Sequence, residues 1–210
     1  MKKSLTLPVL IVSILVAQTS TAQNWTGIAT PVTTNLILYD IDFPAAQNAI
    51  GYAGGSNVTY NGYGTLLKTV DEGATWTVAW SSTANGTGIT ALHFLSVDTG
   101  FAGTQGGNLM KTTDGGVTWT SSDFDPVNDQ GDVNDVKFHD ADHGVLTTSY
   151  NGTYFTTDGG TTWVPASTSP SMGQYALCYA DATTLFSCGN NQSIFKSTDG
   201  GDTWTSSFQG

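Results

Sequence analysis

Lys111 to Trp119 reads Lys-Thr-Thr-Asp-Gly-Gly-Val-Thr-Trp, and the fold turns on this stretch. Asp114-Gly115-Gly116 marks a tight hairpin turn, because Gly reaches φ > 0 without steric cost. Asn108–Thr112 then reads as the strand entering the turn, and Thr118–Thr120 as the start of the strand leaving it. Upstream, Ile89–Phe94 alternates apolar and polar residues, as a half-buried strand does, and Phe101–Thr104 is a second short β run. The nine-residue pattern recurs at Lys68 to Trp76, Phe155 to Trp163 and Lys196 to Trp204. Its Asp residues are Asp71, Asp114, Asp158 and Asp199, at spacings of 43, 44 and 41. A period of about 40–45 residues holding four short strands is the mark of a β-propeller blade.

The expected fold is therefore all-β, with four-stranded antiparallel blades at about 36–80, 88–122, 132–166 and 173–208. Strand A, the innermost of each blade, ends at Phe43, Phe94, Phe138 and Tyr179. Trp25 stands 18 residues before Phe43, the interval that separates Trp76 from Phe94. It reads as the outermost strand of a blade whose other strands are missing. Four complete blades plus this orphan strand suggest a C-terminally truncated piece of a larger propeller.

Composition agrees and narrows the function. Thr supplies 34 and Gly 25 of 210 residues, and charged residues only 11%. All six basic residues are Lys, against 17 acidic ones. Without a basic patch, nucleic acid and anionic membranes are poor partners. Lys2 and Lys3, the apolar run Leu5–Ala17 and small residues up to Ala22 read as a secretory signal peptide, 1–22. Removing its two Lys takes the net charge from −11 to −13. The mature chain, 23–210, holds no further run long enough to span a bilayer, so it is expected to be periplasmic, cell-surface or extracellular.

The four motifs resemble the Asp-box (BNR) repeat, Ser/Thr-x-Asp-x-Gly-x-Thr-Trp. The wider layout, with an apolar strand ending in Phe, then Gly-Phe-Ala-Gly, then the box, is most similar to the photosystem II assembly/stability factor-like propellers. The resemblance spans roughly residues 24–208 and implies the propeller fold. It leaves activity open, because the same hairpin occurs in sialidases, xyloglucan hydrolases, sorting receptors and binding proteins. Sialidases hold their substrate carboxylate with three Arg, and this chain has none. The protein-binding surface of the photosystem factors is Arg-rich, so that partner is not carried over. The box itself reads as structural: Asp71, Asp114, Asp158 and Asp199 accept N–H bonds of their own turns, and Trp76, Trp119, Trp163 and Trp204 pack within their blades.

Other residues offer chemistry. Asp40 and Asp135 stand at equivalent places, three before the end of strand A, and are the carboxylate pair a glycoside hydrolase would need. His93, His139 and His143 lack metal-ligand spacing. The acidic loop from Asp123 to Asp135 is dense in oxygen ligands but departs from the EF-hand pattern. Cys178 and Cys188 fall on adjacent strands and suggest a cross-strand disulfide in an exported protein; the alternative is two thiols. Tyr60, Tyr63, Trp80 and Tyr150 lie near the B–C and D–A loops as ligand-binding candidates. The reading is a non-enzymatic module for a protein or glycan partner, with no catalytic residue, cofactor or metal. The alternatives are a fragment of a xyloglucanase-like propeller glycosidase and a structural repeat of a large surface protein.

Overall fold

The computed structural model describes residues 27, 28, 30, 35–44, 49–57, 62–124, 131–150, 152–170, 173–190 and 194–208. The expected signal peptide, Trp25, Tyr60 and positions 125–130 of the acidic loop lie outside them.

Blade 1 comprises β1 (Leu36–Asp42), β2 (Gly51–Asn57), β3 (Tyr63–Thr69) and β4 (Thr77–Ser81). Blade 2 comprises β5 (Ile89–Phe94), β6 (Gly100–Thr104), β7 (Asn108–Thr112) and β8 (Thr120–Asp123). Blade 3 comprises β9 (Val133–Phe138), β10 (Gly144–Thr148), β11 (Thr153–Thr156) and β12 (Val164–Pro165). Blade 4 comprises β13 (Gln174–Tyr179), β14 (Leu185–Gly189), β15 (Ile194–Ser197) and β16 (Thr205–Phe208). Each set forms one antiparallel sheet in chain order. The expected bounds of β5 and β7 match the structure; β8 begins at Thr120, just after Trp119 rather than before it.

The core lies between blades. β5 packs on β1 and β2, β9 on β5 and β6, and β13 on β9 and β10. No comparable contact joins blade 4 to blade 1 among the described residues, so the four blades make an open arc. Ile89, Leu92 and Phe94 seat on Tyr52 and Leu66 of blade 1, and Val133, Val136 and Phe138 on Phe101 and Leu109 of blade 2. Burying such side chains stabilises by about 2 kcal/mol each. Close approach explains two glycines: a Cβ on Gly54 would stand 2.4 Å from Ile89 Cγ2, and one on Gly103 2.5 Å from Val133 Cγ1.

Every strand A carries a β-bulge, at the second residue of β5, β9 and β13 and the fourth of β1. The registers of β1, β5, β9 and β13 skip Tyr39, Thr90, Asn134 and Tyr175. A bulge re-aims the extra side chain. Thr90 Oγ1 donates to Val133 O at 2.6 Å and Asn134 Nδ2 to Gln174 O at 2.8 Å, each reaching the next blade.

Candidate functional site

The Asp boxes form four near-identical turns. The N–H groups of Thr75, Thr118, Thr162 and Thr203 donate to the box Asp Oδ1 at 2.8–2.9 Å. The same Thr hydroxyls donate to Oδ2, at 2.6, 2.5 and 2.7 Å in the first three boxes. Thr69, Thr112, Thr156 and Ser197 donate to Oδ1 and accept the N–H of Gly73, Gly116, Gly160 and Gly201. Each carboxylate is thus consumed by its own turn. Led by the Thr118 hydroxyl, these bonds pull Asp114 down to about 2; the Thr162 N–H does the same for Asp158. The Trp rings pack edge-on against the last residue of strand A: Trp76 on Phe43, Trp119 on Phe94 and Trp163 on Phe138, with centroids 5.8–6.2 Å apart. Gly115 N–H bonds Asp98 O at 2.9 Å, and Gly159 and Gly200 bond the A–B turns of their own blades alike. The boxes and A–B turns therefore share one face, opposite the B–C and D–A loops.

Along the inner edge of the arc, Asp40 and Asp135 do the same work in alternate blades. Asp40 Oδ1 accepts the N–H of its neighbour Ile41 at 2.8 Å, and Oδ2 that of Leu92 in blade 2 at 2.7 Å. Asp135 Oδ1 accepts from Val136 at 2.8 Å, and Oδ2 from Leu177 in blade 4 at 2.7 Å. Blade 2 has Ala91 at this position. Two carboxylates therefore satisfy four inner-strand N–H groups. Asp42 Oδ2 adds a bond from Phe94 N–H at 2.6 Å.

His93 and Lys137 complete this edge. Lys137 Nζ lies 3.0 Å from Asp135 Oδ1. Burial pushes the Asp135 carboxyl up, and Lys137 and the Leu177 N–H oppose it. Lys137 holds its proton more tightly than usual: burial opposes this, but the carboxylates of Asp135, Asp40 and Asp42 outweigh it. Burial lowers His93, against the pull of Asp42 3.7 Å away. Elsewhere, His143 Nδ1 bonds Asp140 at 2.9 Å, and the His139 ring lies 5.6 Å from that of Tyr179. Among the described residues no three of His, Cys, Asp and Glu group to hold a metal. No helix among them is long and apolar enough to cross a membrane.

The expected disulfide is not formed. Cys178 stands opposite Phe186 and Cys188 opposite Ala176, so the two are offset by two residues, and both are exposed thiols. The A–B turn between Tyr179 and Leu185 sets this register, which holds unbroken from the turn to the Ala176–Cys188 pair. Trp80 packs against the blade 1–2 core rather than standing at a loop mouth. Tyr63 is half-buried, opposite Asn57. Tyr150 is 74% exposed and lies on Gly131, where an added Cβ would meet its ring at 2.4 Å.

A family model described as the BNR/Asp-box repeat matches residues 154–165. The chain is a β-propeller of Asp-box repeats. Among solved propellers it is similar to the GH74 enzyme NkGH74 of Niastella koreensis, with a TM-score of 0.67 and 20% identity over 80% of this chain. It spans 30% of that enzyme's length. YCF48, solved bound to D1 peptide, gives a TM-score of 0.56 and 17% identity, covering 89% of this chain and 85% of YCF48. The computationally designed Ika8 protein gives 0.58 and 16%, covering 80% of this chain and 47% of Ika8. At these identities the likeness is one of fold. No curated protein matches the chain.

Proposed function

We propose that this propeller is exported and acts without catalysis, as a binding or scaffolding module for a protein or glycan partner. One observation carries the reading: Asp40 and Asp135, the pair a glycosidase would need, are each tied to backbone N–H groups of two blades. A general acid or nucleophile must be free to meet its substrate. The peptide-bound state of the similarly folded YCF48 supports a protein partner. Tyr150 and Tyr63, on the loop face, are the aromatic contacts offered to it.

The second reading is a xyloglucanase-like enzyme, favoured by the fold of NkGH74 and by the raised Asp135 carboxyl. Incubation with xyloglucan, β-glucans and sialylated oligosaccharides separates the two. The binding reading expects no new reducing ends, and retention on an immobilised peptide or glycan that weakens in Tyr150→Ala. Hydrolysis that disappears in Asp40→Asn or Asp135→Asn would overturn it.

A further inference from the structure

We infer that two copies of this chain close head to tail into one ring, blade 4 of each packing on blade 1 of the other. The chain's own seams show what such contacts require. Position 1 of strand A is Ile89, Val133 and Gln174 in blades 2, 3 and 4, and all three are fully buried on the preceding blade. Position 4 is Leu92, Val136 and Leu177, also buried. In blade 1 the same places are Leu38 and Ile41, 41% and 58% exposed. Blade 4 shows the converse. Leu66 and Leu109 are covered by the following blade and Thr153 is buried, whereas their counterpart Ile194 is 44% exposed. Gly54 and Gly103 are buried beneath Ile89 and Val133 and Thr147 is fully buried, whereas their counterpart Cys188 is exposed. Cys188, Phe186, Ala176 and Ile194 line an apolar hollow of about 160 Å³. Leu38 of a second copy supplies the missing side chain. The two open faces are thus the two halves of one seam of the kind already made three times.

Charge specifies the same pairing. The box Lys of blades 1 and 2 reaches the next box, where blade 3 has Phe155 instead: Lys68 Nζ donates to Gly115 O at 3.2 Å and Lys111 Nζ to Gly159 O at 2.8 Å. Lys196 holds this place in blade 4, over the Phe186 ring. The matching position in blade 1 is Glu72, where the other three boxes have Gly115, Gly159 and Gly200. Glu72 keeps the left-handed backbone, φ 60°, that favours Gly. A side chain placed at Gly115 would begin 2.9 Å from Lys68 Nζ, so a Glu there lies alongside the incoming ammonium. Across the new seam Lys196 meets both the carbonyl and the carboxylate of Glu72. Two such arcs make a ring of eight blades, within the closed range of about four to eight. Four blades of an eight-blade ring turn through half a circle, so the head-to-tail contact closes as a two-fold dimer rather than a filament.

Light scattering coupled to size exclusion tests this on the purified chain across a concentration series. The expected mass is twice that of the chain, falling to the monomer on dilution. Ile41→Asp and Ile194→Asp each place a carboxylate in both seams of a self-paired ring and weaken association roughly tenfold or more. Mixed, they restore a 1:1 dimer, because one of its two seams then carries no substitution. Lys196→Glu and Glu72→Lys each weaken association, and the double reversal recovers it. Far-UV circular dichroism checks folding, with Leu38→Asp and Cys188→Asp as replacements on the same faces. A monomer at every concentration, dimers indifferent to both faces, or a mixture that fails to recover would each overturn the inference.

Discussion

Asp135 Oδ2 accepts the backbone N–H of Leu177 at 2.7 Å, and Leu177 belongs to the next blade. The inner edge of a propeller presents strand N–H groups with no neighbouring strand to pair them. Asp135 closes two of them and the Lys137 pair fixes its orientation. Asp135→Ala leaves both N–H groups without an acceptor and should destabilise by about 3 kcal/mol. Asp135→Asn, which keeps acceptor oxygen, should cost less. Chemical denaturation of both variants measures the difference, and equal losses would count against the bridging role.

Leu92→Ala should cost about 3 kcal/mol, since the side chain is buried between blades 1 and 2. Ile41→Ala, at the equivalent place in blade 1, should change the stability of dilute monomer little, because that side chain is already in water. Urea melts of the two variants test whether burial comes from the preceding blade.

The Asp boxes predict an acid limit. Asp114 and Asp158 sit at about 2 in the folded chain, below the ordinary value of 3.8. Their folded pKa is depressed, so their contribution is present above pH 3.8 and is lost as pH falls towards 2. Melting temperatures between pH 5 and 2 should fall through this window. Asp114→Ala should melt lower than the parent at pH 7, with the gap shrinking in acid, and ligand retention should survive in the folded fraction.

His93 acts on a higher window. Its pKa lies below 6.5 in the folded chain, because burial disfavours the imidazolium. The unfolded chain takes up the proton first as pH drops, so stability falls from about pH 6.5 downward. Nuclear magnetic resonance titration of the imidazole should give a midpoint below 6.5, and His93→Gln should flatten the stability profile between pH 7 and 5. A midpoint above 6.5 would mean that Asp42 outweighs burial.

Cys178 and Cys188 should both react with a thiol reagent in the native, unreduced protein, since both are exposed and unbonded. Protection of both from alkylation until a reductant is added would restore the disulfide.

The repeat determined the blades by itself. Four copies of a turn whose chemistry is entirely local, with Asp, Thr and Gly bonding one another within nine residues, can be read in sequence because every partner is a near neighbour. The roles of Asp40 and Asp135 could not be read that way. The donors they serve lie 52 and 42 residues away, each following an alanine, Ala91 or Ala176, that offers no carboxylate of its own. The offset of Cys178 from Cys188 followed from where the A–B turn places the first pair, Tyr179 with Leu185, a register two residues away from the facing one. Trp80 likewise packs on a core that blades 1 and 2 build together. Sequence fixes what a residue does within its own turn. Only the stacking of blades decides which of two equivalent residues, Leu92 or Ile41, is core and which is surface, because that burial is supplied by a neighbour outside the repeat.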